Sequence, residues 1–272
     1  MGGGRVTWYD THTAFKPGQN PYDIADSGAK SSGKFIPYAG LIYDFVRNYS
    51  AYASYATIYY PQSATDHLAH VLAPLEGEQY EAGIKAEYLD GRLNASLAVF
   101  QLTEANRAID DPRYPGMGYS VATGKARARG VEMTATGSIT ANWSLSGGYT
   151  YTHTRYLDAS TNADGVGFNT IAPSHLFKLW TQYRLPGRLN RITFGAGANA
   201  TSATAATDGV GTVRQGGYAT FDLRASYALN EHLSASVNAS NITDKTYYRI
   251  DSVGSVFYSD PRQLIFTLRA KY

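Results

Sequence analysis

The sequence predicts an all-β protein, an antiparallel transmembrane β-barrel of the outer-membrane type. Three observations predict it. Segments with a two-residue hydrophobic period run for about 10–13 residues, against ~5–6 in soluble strands. That is the length a tilted strand needs to cross a bilayer of about 30 Å. Within these segments one face is apolar or aromatic and the other is small, hydroxylated or charged. Finally, the connections alternate between short and long, as they do when tight turns lie on one side of a membrane and long loops on the other.

Strands are predicted over 4–12, 34–43, 49–60, 78–88, 93–104, 127–139, 143–155, 175–184, 190–201, 214–227, 233–242 and 262–272. The first two are separated by a long connection, about 14–33. YDFVRN (43–48) turns the chain into 49–60, and a second long connection covers 61–77. In 78–88, Tyr80, Ala82, Ile84, Ala86 and Tyr88 oppose Glu81, Gly83, Lys85 and Glu87. LDGR (89–92) holds an Asp-Gly pair suited to a tight hairpin and leads into 93–104. The long stretch 105–126 follows, and TAN (140–142) joins 127–139 to 143–155. In NWSLSGGYTYTHTR (142–155), Trp143, Leu145, Gly147, Tyr149, Tyr151 and His153 alternate with Ser144, Ser146, Gly148, Thr150, Thr152 and Thr154. The first set is read as facing lipid, with its aromatics at the interfaces, and the second as lining the interior. After 156–174, LPGRL (185–189) turns 175–184 into 190–201, and 202–213 is long again. In 214–227, Ala219, Phe221, Leu223, Ala225 and Tyr227 oppose Thr220, Asp222, Arg224 and Ser226. LNEH (229–232) leads into 233–242, where Leu233, Ala235, Val237 and Ala239 oppose four Ser or Asn residues. The last long connection is 243–261, and 262–272 sets Leu264, Phe266, Leu268, Ala270 and Tyr272 against Thr267, Arg269 and Lys271. Lipid cannot satisfy backbone groups, so every strand must be paired. A large soluble β-sandwich is the competing architecture, and strand length and loop asymmetry weigh against it.

Composition narrows the function. The 272 residues carry a net charge of +2 with 17% charged residues, which points to no nucleic-acid partner. Tyr outnumbers Phe by 23 to 10, and Tyr suits a boundary between apolar and wet surroundings. With no Cys there are no disulfides, zinc thiolates or cysteine nucleophiles. No run of about 18 apolar residues marks a transmembrane helix, and MGGGRVTWYD does not read as a signal peptide.

Several stretches carry a family resemblance. QLIFTLRAKY (263–272) resembles the C-terminal assembly signal of bacterial outer-membrane proteins, carried by Leu264, Phe266, Leu268 and Tyr272. NASNITDKTYY (238–248) and SDPRQLIFTLRAKY (259–272) resemble the ending of TonB-dependent receptors. EGEQYEAGIKAEYLDGRLNASLAVFQLTEANRA (76–108), with its Glu-x-Gly-x-Lys core, is similar to the same family. So are GKARARGVEMTATGSITANWSLSGGYTYTHTR (124–155), YRLPGRLN (183–190) and GGYATFDLRASYALNEHLSASVNASNITDKTYY (216–248). The resemblance covers essentially the whole chain and is nearest to receptors for hydroxamate-type ferric siderophores, of the ferric-coprogen and ferric-pyoverdine kind.

The resemblance implies a 22-stranded barrel filled by an N-terminal plug, preceded by a TonB-binding box and a signal peptide. Residues 1–272 show none of these and read as about the last 12 strands, with two strand edges left open. The implied location is the outer membrane of a Gram-negative bacterium. The implied partners are a ferric siderophore, the TonB complex through the missing N-terminal region, outer-membrane lipid and the barrel assembly machinery, and the intact receptor is expected to be a monomer. The expected role is transport rather than catalysis, with the plug needed for coupling. A receptor for haem, cobalamin or a glycan is the nearer alternative, and a free-standing passive pore of 12 strands the more distant one.

Candidate site residues follow. His67 and His70 are near neighbours in HLAH, but a metal site would need further ligands, and no G-x-S-x-G motif supports a hydrolase. No catalytic residue, metal or cofactor is expected, and a ferric siderophore needs no metal ligands from the receptor, because it brings its iron already chelated. Interior charges Glu81, Lys85, Glu87, Glu132, Asp222, Arg224, Arg269 and Lys271 fit a polar lumen, and in the family such residues contact the plug. Candidate ligand contacts are Tyr59, Tyr60, Tyr114, Tyr119, Tyr156, Phe168, Tyr247, Tyr248, Phe257 and Tyr258, at outer strand ends and in long loops. An outer aromatic girdle is the other place for each of them.

Overall fold

A computed structural model describes residues 1–13, 27–157, 167–168, 170–207 and 211–271. Twelve antiparallel strands form one sheet: β1 Gly2–Thr13, β2 Ser27–Val46, β3 Tyr49–Tyr60, β4 Leu75–Tyr88, β5 Leu93–Asp110, β6 Ser120–Ser138, β7 Trp143–Tyr156, β8 His175–Arg184, β9 Ile192–Thr201, β12 Tyr218–Ala228, β13 Leu233–Ser240 and β16 Gln263–Ala270. They pair in chain order, so each strand follows its neighbour as in an up-and-down barrel wall. Two small hairpins lie between sheet strands: β10 Thr204–Thr207 with β11 Thr212–Gln215, and β14 Tyr248–Ser252 with β15 Ser255–Tyr258. β1 and β16 end the sheet and do not pair with each other, so it is an open wall.

The twelve expected strands correspond to the twelve members of the sheet, with five differences. β2, β5 and β6 run several residues further into the long connections than the alternation indicated, because backbone pairing continues beyond the bilayer. The expected strand 214–227 is two elements. Gly216 and Gly217 break it, leaving Thr212–Gln215 in the β10–β11 hairpin. The expected long loops 202–213 and 243–261 contain those hairpins. β9 starts at Ile192, after a single 3-10 turn over Gly187–Leu189. The first turn is tighter than YDFVRN suggested: β2 reaches Val46, and Asn48, at φ 76°, takes the left-handed conformation that Asn tolerates.

Register sorts the side chains into two continuous faces. One row runs Ala51–Ile84–Leu97–Met133–Tyr149–Phe177–Ala200 across β3 to β9. It continues in kind with Phe194, Ala225, Val237 and Phe266 further along the sheet. The neighbouring row on the other face runs Ser50–Lys85–Ser96–Thr134–Gly148–Lys178–Asn199–Thr220. The apolar face carries two aromatic belts. Tyr49, Tyr88, Trp143, Tyr183 and Tyr227 lie near the short turns, and Tyr55, Tyr80 and Tyr151 lie towards the long connections. Tyr80 and Tyr88 share a strand eight residues apart, about 27 Å along it, on the order of the ~25 Å apolar band of an outer-membrane barrel.

Burial agrees with a single wall rather than a sandwich. Among the described residues the buried hydrophobics are Ile36, Ala86, Ala98, Ala126, Ala206 and Ile250, and most of these are small. Large apolar side chains stand open on the outward face: Phe266 is 75% exposed and Leu268 69%. A soluble sheet of this composition would leave an apolar patch far above the few hundred Å² typical of monomers, whereas a lipid-facing wall is meant to present one.

Candidate functional site

The polar face gathers the charges expected in the lumen. By register, Glu81, Lys85, Glu87, Glu132, Asp222, Arg224 and Arg269 all fall on it. Two clusters organise them. Tyr52 donates its hydroxyl to Glu81 at 2.6 Å, and the Lys85 ammonium stands 5.0 Å from the Tyr52 ring centroid. Gly83 makes this possible: a Cβ there would lie 2.6 Å from the Tyr52 ring and 2.6 Å from the Leu97 carbonyl oxygen. Further along, Asp222 accepts from the Asn241 backbone N–H at 2.9 Å and from Asn199 at 3.4 Å. Trp180 lies over Gly195 and Gly197 on the same face. Tyr52, Phe100 and Trp180 are interior aromatics that the sequence reading did not single out. The available signal was parity, since Tyr52 alternates in step with Ser50 and Ser54.

At the end of the long connections the structure builds a mouth. A bulge in β5 decides its chemistry. Asn106 takes φ 60°, and the β5–β6 register shifts between Glu104 and Arg107. The extra residue turns Arg107 onto the interior face, where it donates to Glu104 at 2.9 Å and lies 4.8 Å from the Phe168 ring. Phe168 meets Tyr156 at 5.8 Å, so two of the candidate ligand residues are brought together around a cation. Tyr60 lines an adjacent hollow of about 570 Å³ with Gln62 and Arg107. Gln62 ties the loop after β3 to β5: its side chain donates to the carbonyls of Ala73 and Asn106 and accepts from Ala108 N–H at 3.0 Å. Neither Arg107 nor Gln62 was marked in the sequence, because neither a bulge nor a loop staple leaves a periodic trace.

The other candidates fall in separate places. His67 stacks on Tyr114 at 5.0 Å, and Tyr114 meets Tyr119 edge-on at 5.5 Å. His70 Nδ1 lies 3.3 Å from an Asp66 carboxylate oxygen, and HLAH lies in the loop after β3. Buried Asp111 accepts three hydrogen bonds from the Arg113 side chain, the shortest 2.7 Å. That guanidinium holds the Asp111 carboxyl below the usual carboxylate range. Asp66 is also lowered, chiefly by the backbone N–H of His70. Tyr247 stacks flat on Tyr218 at 3.9 Å. Tyr248 and Tyr258 face each other across the β14–β15 hairpin, beside Phe257 and Arg249. Tyr59 does not belong to the mouth: the β3–β4 register places it on the face of Tyr55 and Tyr80, and its hydroxyl donates to Ser31 at 2.9 Å. Leu264, Phe266 and Leu268 share the outward face of β16, while Tyr272 lies outside the described residues.

Comparison with known proteins gives the same architecture. Residues 1–242 match the family model for the TonB dependent receptor-like β-barrel. The ferric-pyoverdine M114 receptor PbuA of Pseudomonas sp. (strain M114) is 36% identical over 99% of this chain and 34% of its own length. The ferripyoverdine receptor of Pseudomonas aeruginosa is 38% identical over 88% of this chain and 31% of its own. Among solved structures, P. aeruginosa FpvA bound to a heterologous ferric pyoverdine superposes with a TM-score of 0.83 at 37% identity, covering 98% of this chain and 35% of that one. The chain thus spans about a third of the length of the relatives it matches.

Proposed function

Because the chain belongs to the TonB-dependent receptor-like β-barrel family, we propose that it forms barrel wall in a receptor that takes up a ferric siderophore across the outer membrane of a Gram-negative bacterium. The observation that carries the reading is the similarity, over nearly the whole chain, to receptors named for ferric pyoverdine. The site chemistry agrees. A ferric siderophore is a bulky chelate that needs aromatic surface and a few charges rather than metal ligands, and Tyr156, Phe168 and Arg107 offer that combination at the mouth. The interior charges Glu81, Lys85, Glu132 and Arg224 are suited to hydrogen-bonding and ion-pairing with a plug domain, and transport is proposed to depend on TonB acting through that domain.

The test is ligand binding by the chain in detergent, read by quenching of tryptophan fluorescence. Saturable quenching by ferric pyoverdine or a ferric hydroxamate, weaker with the iron-free chelators, is the expected result. Quenching by haem or cobalamin with none by any ferric siderophore would move the assignment to another ligand within the family.

A further inference from the structure

The outer end of β6 and β7 carries charge on the wrong face for a barrel wall. Register places Arg127 and Arg129 on the apolar side with Val131 and Met133, and pairs them with Arg155 and His153. Arg127 and Arg155 stand directly opposite, at a Cβ separation of ~5 Å, an arrangement that destabilises a sheet when both charges have one sign. The Nε atoms of both are buried and have no hydrogen-bond partner among the described residues. On one side the strand neighbours are Thr103 and Gln101 of β5, which bring no charge. Among the described residues, the carboxylates beyond β5 on this face are Glu78, which accepts from Tyr80, and Glu76, already paired with Lys34 at 2.8 Å. Lys125, at the next outward position of β6, adds a further cation.

Immediately inward of Arg129 the same face opens into a groove of about 600 Å³, bordered by Ala53, Tyr80, Ala82, Val99, Val131 and Tyr151. Small residues make its floor and two tyrosines its sides, so a cationic cluster caps an apolar trough. That sequence of chemistries along one line is the chemistry of an anionic lipid. We propose that this is a binding site for a phosphorylated lipid of the outer leaflet, with an acyl chain in the groove and the phosphate between Arg127, Arg129 and Arg155. Guanidinium groups suit the task because their paired N–H donors match phosphate oxygens, and a phosphate inserted between Arg127 and Arg155 removes their mutual repulsion. The site lies on the opposite face of the wall from the mouth and is independent of the siderophore reading.

The test uses the chain in nonionic detergent, titrated with phosphatidic acid, with diacylglycerol of the same acyl chains, and with inorganic phosphate, each read as bound adducts by native mass spectrometry. Phosphatidic acid is expected to bind at least about tenfold more tightly than diacylglycerol, the scale of a charge-assisted contact. R127Q/R155Q is expected to lose that preference and R127K/R155K to keep most of it, which separates charge from fold. Ala82→Phe, which fills the groove, should weaken phosphatidic acid without restoring diacylglycerol. Equal binding of the two lipids, or a preference unchanged in R127Q/R155Q, overturns the proposal. Inorganic phosphate that binds as tightly as phosphatidic acid also overturns it, because the site would then be for a free anion.

Discussion

Individual side chains are set here by single irregularities. Without the bulge at Asn106, Arg107 would continue the outward alternation of β5 and point away from the mouth. With it, Arg107 joins Glu104, Phe168 and Tyr156 in the mouth. Arg107→Ala is therefore expected to weaken ferric-siderophore binding by about 1–2 kcal/mol, roughly tenfold in Kd, with little change in stability. Arg107→Lys should recover part of it, because charge returns without the planar stack. Fluorescence titration checks both, and unchanged affinity in Arg107→Ala would remove this residue from the binding site. Gly83 makes the opposite case, a residue needed for what it lacks. Gly83→Val would push into the Tyr52 ring and the Leu97 carbonyl, and is expected to cost ~1–3 kcal/mol by overpacking, measured as a lowered urea midpoint. Tyr52→Ala combined with Gly83→Val should recover part of that loss, since half of the clash disappears.

Among elements, the loops after β3 and β5 behave as one unit. Gln62 ties the first loop to β5, Ser120 N–H at the end of the second donates to the Thr65 carbonyl at 2.9 Å, and Asp66 and Asp111 fix their local turns. Both carboxyls sit below the usual range in the folded chain, Asp111 chiefly through Arg113 and Asp66 chiefly through backbone N–H groups. A lowered folded-state pKa means that the stabilisation is complete above the unfolded value of ~3.9 and is lost as pH falls through the folded one. Proteolysis within 61–74 and 111–119 is thus expected to stay flat from about pH 8 to 5 and to rise below about pH 4. Asp111→Asn should raise it at every pH and blunt the acid response. A rise already at pH 6 would mean that these carboxylates do not govern the loops. None of this stitching was legible in the sequence, whereas the twelve strands were, and the reason is physical. A wall between lipid and water imposes the two-residue period on every crossing, so Tyr80 to Tyr88 or Leu233 to Ala239 can be read directly. Beyond the bilayer both faces meet water, the period lapses, and β2, β5, β6 and the two small hairpins continue on backbone pairing that no composition rule reports. For the same reason the lumen charges could be assigned a face, and the contacts of Tyr156 and Phe168 could not.

The whole sheet is defined by the difference between its two faces, and that difference can be measured. In a soluble sheet an arginine placed on either exposed surface costs little, because both surfaces meet water. In a bilayer wall the penalty depends on face and depth. Leu97 and Met133 sit opposite each other on the apolar face between the two aromatic belts, 43% and 47% exposed. Ser146, beside Thr136 and Trp180, occupies the polar face. Met133→Arg and Leu97→Arg are expected to cost about 2–4 kcal/mol each in urea unfolding from phospholipid vesicles, while Ser146→Arg should cost under ~0.5 kcal/mol. An arginine at position 101, in the outer belt next to Arg129, should fall between them, because the penalty fades towards the interface. This gradient also explains how Arg127, Arg129 and Arg155 can occupy the outward face at all: they lie at and beyond the outer aromatic belt, where headgroups rather than hydrocarbon meet the wall. Equal costs for Met133→Arg and Ser146→Arg would contradict the membrane-wall architecture. A steep cost for Met133→Arg in vesicles that vanishes in detergent-free buffer would tie it to lipid and not to packing within the sheet.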